Sequence, residues 1–231
     1  MRQGVRKHFF NEDYFENIDT EEKAYWLGFI SADGCIVKSS KYNSYRLYIN
    51  LGRVDELHLQ KFLNAIDASD INIQQHTAFG GFNNVNGSNT SRIVLNSFKL
   101  CKDLEKYNVH QRKSYDIEMP KLNPLLMPHY LRGFIDGDGS FHYHYDAKNN
   151  RYRYSFEIVG ASMLLMEQIQ EYLMLNNIKT NIYIRKTNKS IRLMSSSKIE
   201  ISKLIDFLYS DAHIYLDRKY EKINEIKSIA V

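Results

Sequence analysis

The 231-residue chain holds only two cysteines, Cys35 and Cys101, and no CxxC pair. That scarcity argues against a disulfide framework or a cysteine-rich zinc site and points to a reducing compartment. Long apolar runs are missing too, and none approaches the ~20 residues of a membrane-spanning helix. The opening stretch, MRQGVRKHFFNEDYFENID, lacks the apolar core of a secretory signal. Charge of one sign is hardly in excess: 31 Lys and Arg against 27 Asp and Glu leave +4. That balance is compatible with nucleic acid but does not require it. What is present is a 43% hydrophobic, 13% aromatic chain, enough for one large domain or two of about 100 residues each.

An internal repeat organises the chain. W-L-G-F-I-S-A-D-G at 26–34 and L-R-G-F-I-D-G-D-G at 131–139 place Asp33 and Asp138 105 residues apart. After Asp33, alternating segments at 35–42 and 44–51 read as a hairpin. A helix from Asp55 to about Asp67 follows, with Leu57, Phe62, Leu63 and Ile66 as its apolar stripe. Strands at 71–77 and 91–97 flank a polar, glycine-rich loop, and a helix at 98–107 closes the unit. The second half repeats this order: a hairpin of 140–147 and 151–159 across the turn at 148–150, a helix at 162–175, strands at 180–186 and 190–195, and a helix at 198–209. A last amphipathic helix, about 214–228, covers the second half. A period this long indicates duplicated half-domains, not a solenoid.

Small residues sit four apart in each motif, Gly28 with Ala32 and Gly133 with Gly137, and so share one helix face. Two such faces let helices meet backbone to backbone. Gly34 and Gly139 are expected in the left-handed position that ends a helix. Asp33 and Asp138 then stand at the negative poles of two adjacent helices. Negative charge gathered in this way is costly unless a cation offsets it. Carboxylate and carbonyl oxygens favour Mg²⁺, Ca²⁺ or Mn²⁺ over zinc. A lone Asp-Gly is an ordinary turn; it is the repetition that argues otherwise.

The two nonapeptides resemble the signature helices of the LAGLIDADG homing endonucleases in their single-chain, two-motif form, and the resemblance runs from about residue 20 to 225. It implies an α+β fold of two pseudo-symmetric αββαββα halves packed through the motif helices, each with an antiparallel sheet, together forming a DNA-binding saddle. The halves would span 20–118 and 119–231, the second including the C-terminal helix, after an extension at 1–19. The resemblance further implies that Asp33 and Asp138, with Ala32 and Gly137 beside them, bind Mg²⁺, with Mn²⁺ substituting and Ca²⁺ binding without supporting cleavage. Ser31 replaces the first aspartate of the motif, which Asp136 retains; that position is not the family's metal ligand. The family also places a basic residue of each half near the scissile phosphates. H-Q-R-K-S-Y and L-D-R-K-Y-E, 106 residues apart, match Lys113 and Lys219 to that role, with Arg112 and Arg218 as neighbours. A solvated surface charge is the plain alternative for such a common pair.

The activity so implied is that of a monomeric, site-specific double-strand DNA endonuclease. It would hydrolyse one phosphodiester in each strand of a long pseudo-palindromic or asymmetric site and leave short 3′ overhangs. Alternatives on the same fold are an RNA-splicing maturase that binds intron RNA and a DNA-binding regulator without catalysis. Retention of both aspartates favours cleavage. Protein splicing is not expected, since an N-terminal Cys or Ser block and a terminal His-Asn are missing. The expected setting is soluble and intracellular: the cytoplasm or nucleoid of a bacterium or phage-infected cell, or an organelle.

Strand alternation names a polar face that would lie along the major groove. Arg46 and Tyr48 oppose Leu47 and Ile49; Arg151, Arg153 and Ser155 oppose Tyr152, Tyr154 and Phe156; His142 and His144 oppose Phe141 and Tyr143. Lys38, Ser40, Asn72, Gln74, His76, Arg92, Asn181, Tyr183, Arg185 and Arg192 join this DNA-binding set, with Arg112 and Arg218 beside the lysines. Any half-exposed sheet shows polar alternation, so the motifs carry the assignment. His142 and His144 lack a third partner for zinc and read as sheet surface. The basic run R-Q-G-V-R-K-H suits phosphate contact or a solvated tail, and the aromatics at 9–15 suit packing beneath the first half.

Overall fold

A computed structural model describes residues 9–39, 44–78, 88–185, 187 and 190–230. The basic run at 2–8, Ser40 and most of the glycine-rich loop lie outside these. The first half contains α1 (Glu21–Asp33), β1 (Gly34–Ser39), β2 (Ser44–Gly52), α2 (Glu56–Ala65), β3 (Gln74–Ala78), β4 (Ser88–Asn96) and α3 (Phe98–Glu105). The second contains α4 (Met127–Asp138), β5 (Gly139–Asp146), β6 (Arg151–Gly160), α5 (Met163–Leu175), β7 (Asn181–Ile184), β8 (Ile191–Ser195), α6 (Lys198–Tyr209) and α7 (Asp217–Ala230).

Local chemistry sets the helix starts. The Thr20 hydroxyl accepts the Lys23 backbone N–H at 3.2 Å, with Glu21 and Glu22 in the first turn of α1. Ser97, Ser162 and Ser197 cap α3, α5 and α6 in the same way. The sheets are both antiparallel and share one topology, β1-β2-β4-β3 and β5-β6-β8-β7. One face of each packs inward: Leu47, Ile49 and Leu51 on β2, Phe156 and Ile158 on β6. Tyr14 and Phe15 are buried in the same core, ahead of α1.

α1 and α4 form the centre. Eight consecutive residues of α1, 24–31, are buried, as expected of a helix enclosed on every side. A Cβ on Gly28 would lie 1.9 Å from the Tyr130 carbonyl oxygen, and one on Gly133 1.9 Å from that of Tyr25. These contacts exchange under the 105-residue repeat, so the helices cross about a pseudo-twofold axis. A Cβ on Gly137 would lie 2.4 Å from the Ala32 Cβ, which brings the two helix ends together.

Three sequence expectations need correction. Gly34 and Gly139 are extended (φ −77°, ψ 144° and φ −84°, ψ 163°), not left-handed. Each opens a strand, and its N–H still caps the helix by donating to Ile30 or Ile135. Glycine is needed there for space: an added Cβ would fall 2.6 Å from the Ile30 carbonyl oxygen or 2.7 Å from that of Ile135. Leu57 is exposed, and His58 with Leu59 takes the inward face of α2, because the helix begins after a 3-10 turn at Arg53–Asp55. The last helix starts at Asp217, three residues later than the apolar pattern suggests, since Leu216 is held by a side chain instead.

Candidate functional site

Each motif helix ends in its aspartate and passes straight into the first strand of its sheet. Asp33 and Asp138 are therefore placed by backbone continuity and by the close crossing at the glycines. The Asp33 carboxylate lies 3.3 Å from where a Gly137 Cβ would be, so the first half's acid borders the second half's helix end. Burial and the neighbouring Asp138 carboxylate push Asp33 up to about 6, against the opposing pull of Lys219 and Lys113. Burial also raises Asp138, against Lys113 and Lys219.

The two lysines arrive after the outer helices α3 and α6, Lys113 from the 3-10 turn Lys113–Tyr115 and Lys219 from the first turn of α7. Lys113 donates from Nζ to the Gly34 carbonyl at 2.6 Å and to that of Ala32 at 3.5 Å. Lys219 donates to Gly139 at 2.5 Å, Ile135 at 2.9 Å and Gly137 at 3.1 Å. Each ammonium thus occupies the orphan carbonyls at the end of its own motif helix, where the dipole is negative. Both lysines are buried, and burial pulls them below lysine's ordinary value; Asp138 leads the opposing pull on Lys113, Asp136 that on Lys219. The result is two carboxylates and two ammonium groups in one small volume, repeated about the pseudo-axis.

The arginine neighbours diverge. Arg112 is exposed with φ 65°. Arg218 instead forms a two-pronged pair with Asp55 of the first half, Nε at 3.1 Å and Nη2 at 2.9 Å. It joins the halves, as do Lys61 with Asp217 at 2.6 Å and Arg132 with Glu21 at 2.6 Å.

On the outer faces of the sheets, Arg46, His142, His144, Arg151, Arg153, Asn181, Tyr183 and Arg185 are exposed, and Tyr48 and Arg192 are half-buried. Asn72, Gln74 and His76 are exposed, Asn72 just ahead of β3. Cross-strand register groups them: His142 faces Ser155, His144 faces Arg153, and Tyr183 faces Arg192. Arg92 reaches Gln74 at 3.1 Å and His76 at 2.8 Å. Lys38 does not belong to this set. It pairs across the sheet with buried Tyr45 and lies over that ring at 5.3 Å, because buried Ile36 fixes the even-numbered residues of β1 on the inner face. Glu157, bonded to Arg192, and Asp146, 2.7 Å from Arg153, were missed. Both are diagonal pairs, since Glu157 lies opposite Met194 and Asp146 opposite Arg151, and single-strand alternation does not give such cross-strand neighbours.

The fold has counterparts among known proteins. The model of the family described as LAGLIDADG endonuclease matches residues 131–230. The second half of the chain, with its motif, is thus similar to the LAGLIDADG endonucleases. Solved structures with this fold extend the likeness across both halves. I-GzeII in complex with its DNA target is similar at TM-score 0.62 and 15% identity, over 90% of this chain and 89% of that one. I-SmaMI bound to uncleaveable DNA is similar at 0.57 and 18%, over 89% of each chain. I-AabMI bound to uncleaved DNA is similar at 0.58 and 15%, over 89% of each chain. No curated protein matches the sequence. Asp136, two residues before Asp138 on α4, is a buried polar anchor to which the motif by itself assigned no partners.

Proposed function

We propose that this protein is a LAGLIDADG-type, site-specific DNA endonuclease that uses divalent metal ions to hydrolyse one phosphodiester in each strand of a double-stranded target. The observation that carries this reading is the juxtaposition of Asp33 and Asp138 at the crossing, each with a buried lysine on its own helix end. A protein that only bound nucleic acid would gain nothing from two carboxylates lifted by burial, Asp33 also by Asp138. Their cost is offset by a cation, and the donor set suits a hard one: two carboxylates, with the Ala32 and Gly137 carbonyls close by. Among the described residues no group of three or more His, Cys, Asp or Glu is assembled, so the two carboxylates leave the remaining positions on the ion to carbonyls, water and DNA.

Mg²⁺ is the proposed ion, held by Asp33 and Asp138. When bound, it supplies an acidified water and charge neutralisation at the leaving oxygen. The chain's own groups do the rest. Lys113 and Lys219, fixed by helix-end carbonyls, present positive charge beside the carboxylates without neutralising them by direct contact. That charge opposes the negative charge developing on a phosphate in the transition state, from positions already set before reaction. The near-repeat of the arrangement provides one set for each strand, with the product ends as short 3′ overhangs. The outer sheet faces supply the register on DNA through Arg46, Arg153, His144 and their neighbours, contacts of the type that read base edges and phosphates. The similar proteins I-GzeII, I-SmaMI and I-AabMI were solved with DNA, which supports this choice of ligand.

The test is a selection from a randomised DNA library, with cut ends captured in the presence of Mg²⁺. Recovery of a defined cleaved site, lost in D33N and D138N variants that still bind it, supports the reading. Sequence-specific binding with no cut under Mg²⁺ or Mn²⁺ overturns it.

A further inference from the structure

Asp136 is fully enclosed and accepts three hydrogen bonds. Tyr209 donates to Oδ1 at 2.7 Å, and Tyr25 and the Leu216 backbone N–H donate to Oδ2 at 2.8 Å each. Leu216 immediately precedes α7, and its carbonyl accepts the N–H groups of Lys219 and Tyr220 at 3.0 Å. The carboxylate therefore anchors the first turn of α7 to α4, three residues before the lysine that reaches Ile135, Gly137 and Gly139. Burial lifts Asp136, but its three donors and Lys219 favour the ion. The anchor also crosses the halves. The single Tyr25 proton goes to Asp136, so the His58 contact at 3.0 Å must be a donation from His58 Nε2 to the Tyr25 oxygen.

Among the described residues the first half has no such carboxylate anchor. Ser31, at the equivalent position, donates back to the Leu27 carbonyl at 2.8 Å and offers the buried Tyr130 hydroxyl, equivalent to that of Tyr25, a neutral neighbour in place of a carboxylate. Lys113 follows a residue in the left-handed region and enters a 3-10 turn instead of a helix.

We propose that Asp136 is a positioning residue for Lys219, and that its lack of a counterpart makes the two cleavage centres unequal. This rests on the endonuclease reading, so the test has one arm that does not depend on cutting. In that arm the full chain is acetylated sparingly with an N-hydroxysuccinimide ester and each lysine is followed by mass spectrometry. In the wild type, Lys113 and Lys219 should both react slowly, behind surface lysines such as Lys61. In D136N the amide turns a donor toward the donors around it. Lys219 labelling should then rise severalfold while Lys113 stays slow. Y209F, which removes one donor and keeps the carboxylate, should raise Lys219 labelling to a lesser degree.

Unchanged Lys219 labelling in a folded D136N variant overturns the proposal. If D136N unfolds, so that both lysines react freely, Y209F decides: selective exposure of Lys219 supports the proposal, and no exposure overturns it. The second arm follows supercoiled plasmid bearing the selected site. D136N should accumulate nicked circles broken in one defined strand, and equal slowing of both strands would overturn the inequality. If the wild type cuts nothing, the endonuclease reading fails while the labelling arm still judges the positioning of Lys219.

Discussion

The α-carbon of Gly28 faces the carbonyl of Tyr130 so closely that a Cβ there would stand 1.9 Å from the oxygen. Gly133 meets Tyr25 in the same way. Neither contact can yield by moving a side chain, because the obstacle is backbone. G28A or G133A must separate α1 from α4, at a cost on the order of the 1–3 kcal/mol of an overpacked core or more. Thermal melts should show a clearly lowered midpoint for either variant. An unchanged midpoint would mean the helices do not cross as described.

Lys113 and Lys219 sit on helix-end carbonyls and not on the carboxylates themselves. Replacing either with methionine keeps most of the side-chain volume and removes the charge. On the selected target, K219M is expected to slow cleavage of one strand by about 100- to 1,000-fold, the range for loss of a preorganised charge. K113M should slow the other. Single-turnover kinetics with strand-specific labels measure both, and loss confined to DNA affinity would count against a role in chemistry.

Asp33 carries the sharpest pH consequence. Its carboxyl is raised to about 6 in the metal-free fold, against about 3.9 for a free aspartate. The folded state holds its proton more tightly than the unfolded chain does. Its contribution to stability is therefore fullest below about pH 4 and is lost as pH rises through about 6. In chelator at pH 8, D33N should melt higher than the wild type, with the gap closing on acidification. Mg²⁺ should stabilise only the wild type, and less so below pH 6, where protons compete. A D33N variant less stable than the wild type at pH 8 in chelator would contradict this account.

His58 has the opposite sign. Burial, with smaller effects from Lys61 and Lys219, lowers its imidazole to about 3, compared with about 6.5 when exposed. Its contribution is present above about pH 6.5 and is lost as pH falls through about 3. H58Q retains a donor toward Tyr25 but cannot take up a proton. Urea titrations from pH 7 to 4 should show wild-type stability falling more steeply than that of H58Q, and parallel curves would exclude a buried neutral imidazole.

Arg46 and Lys38 lie on opposite faces of the first sheet. R46A should weaken binding to duplex DNA and reduce the salt slope by about 1, as for loss of one phosphate contact. K38A should leave both unchanged. Mobility shifts over a series of salt concentrations separate the two, and a salt slope altered by K38A would place the DNA on the other face.

Several features were determined by the sequence alone. The duplicated nonapeptides dictate two crossing helices, because small residues four apart admit backbone contact only on that face. Strand alternation named the outward face of β2, β5 and β6, since burial follows a two-residue period once a core exists. The lysines were singled out by the family resemblance, on a pair that repeats 106 residues apart. Tertiary structure decided what depends on partners far along the chain. It turned Arg218 from a neighbour of the centre into a link to Asp55, and assigned Lys38 to the inner face through its pairing with Tyr45. It also showed Gly34 and Gly139 to be glycines for want of room and not for a left-handed turn. Above all it gathered Tyr25, Tyr209 and Leu216 around Asp136, residues 111, 73 and 80 positions away. A buried carboxylate is satisfied by whichever donors the fold delivers, and periodicity along one helix cannot say which those are.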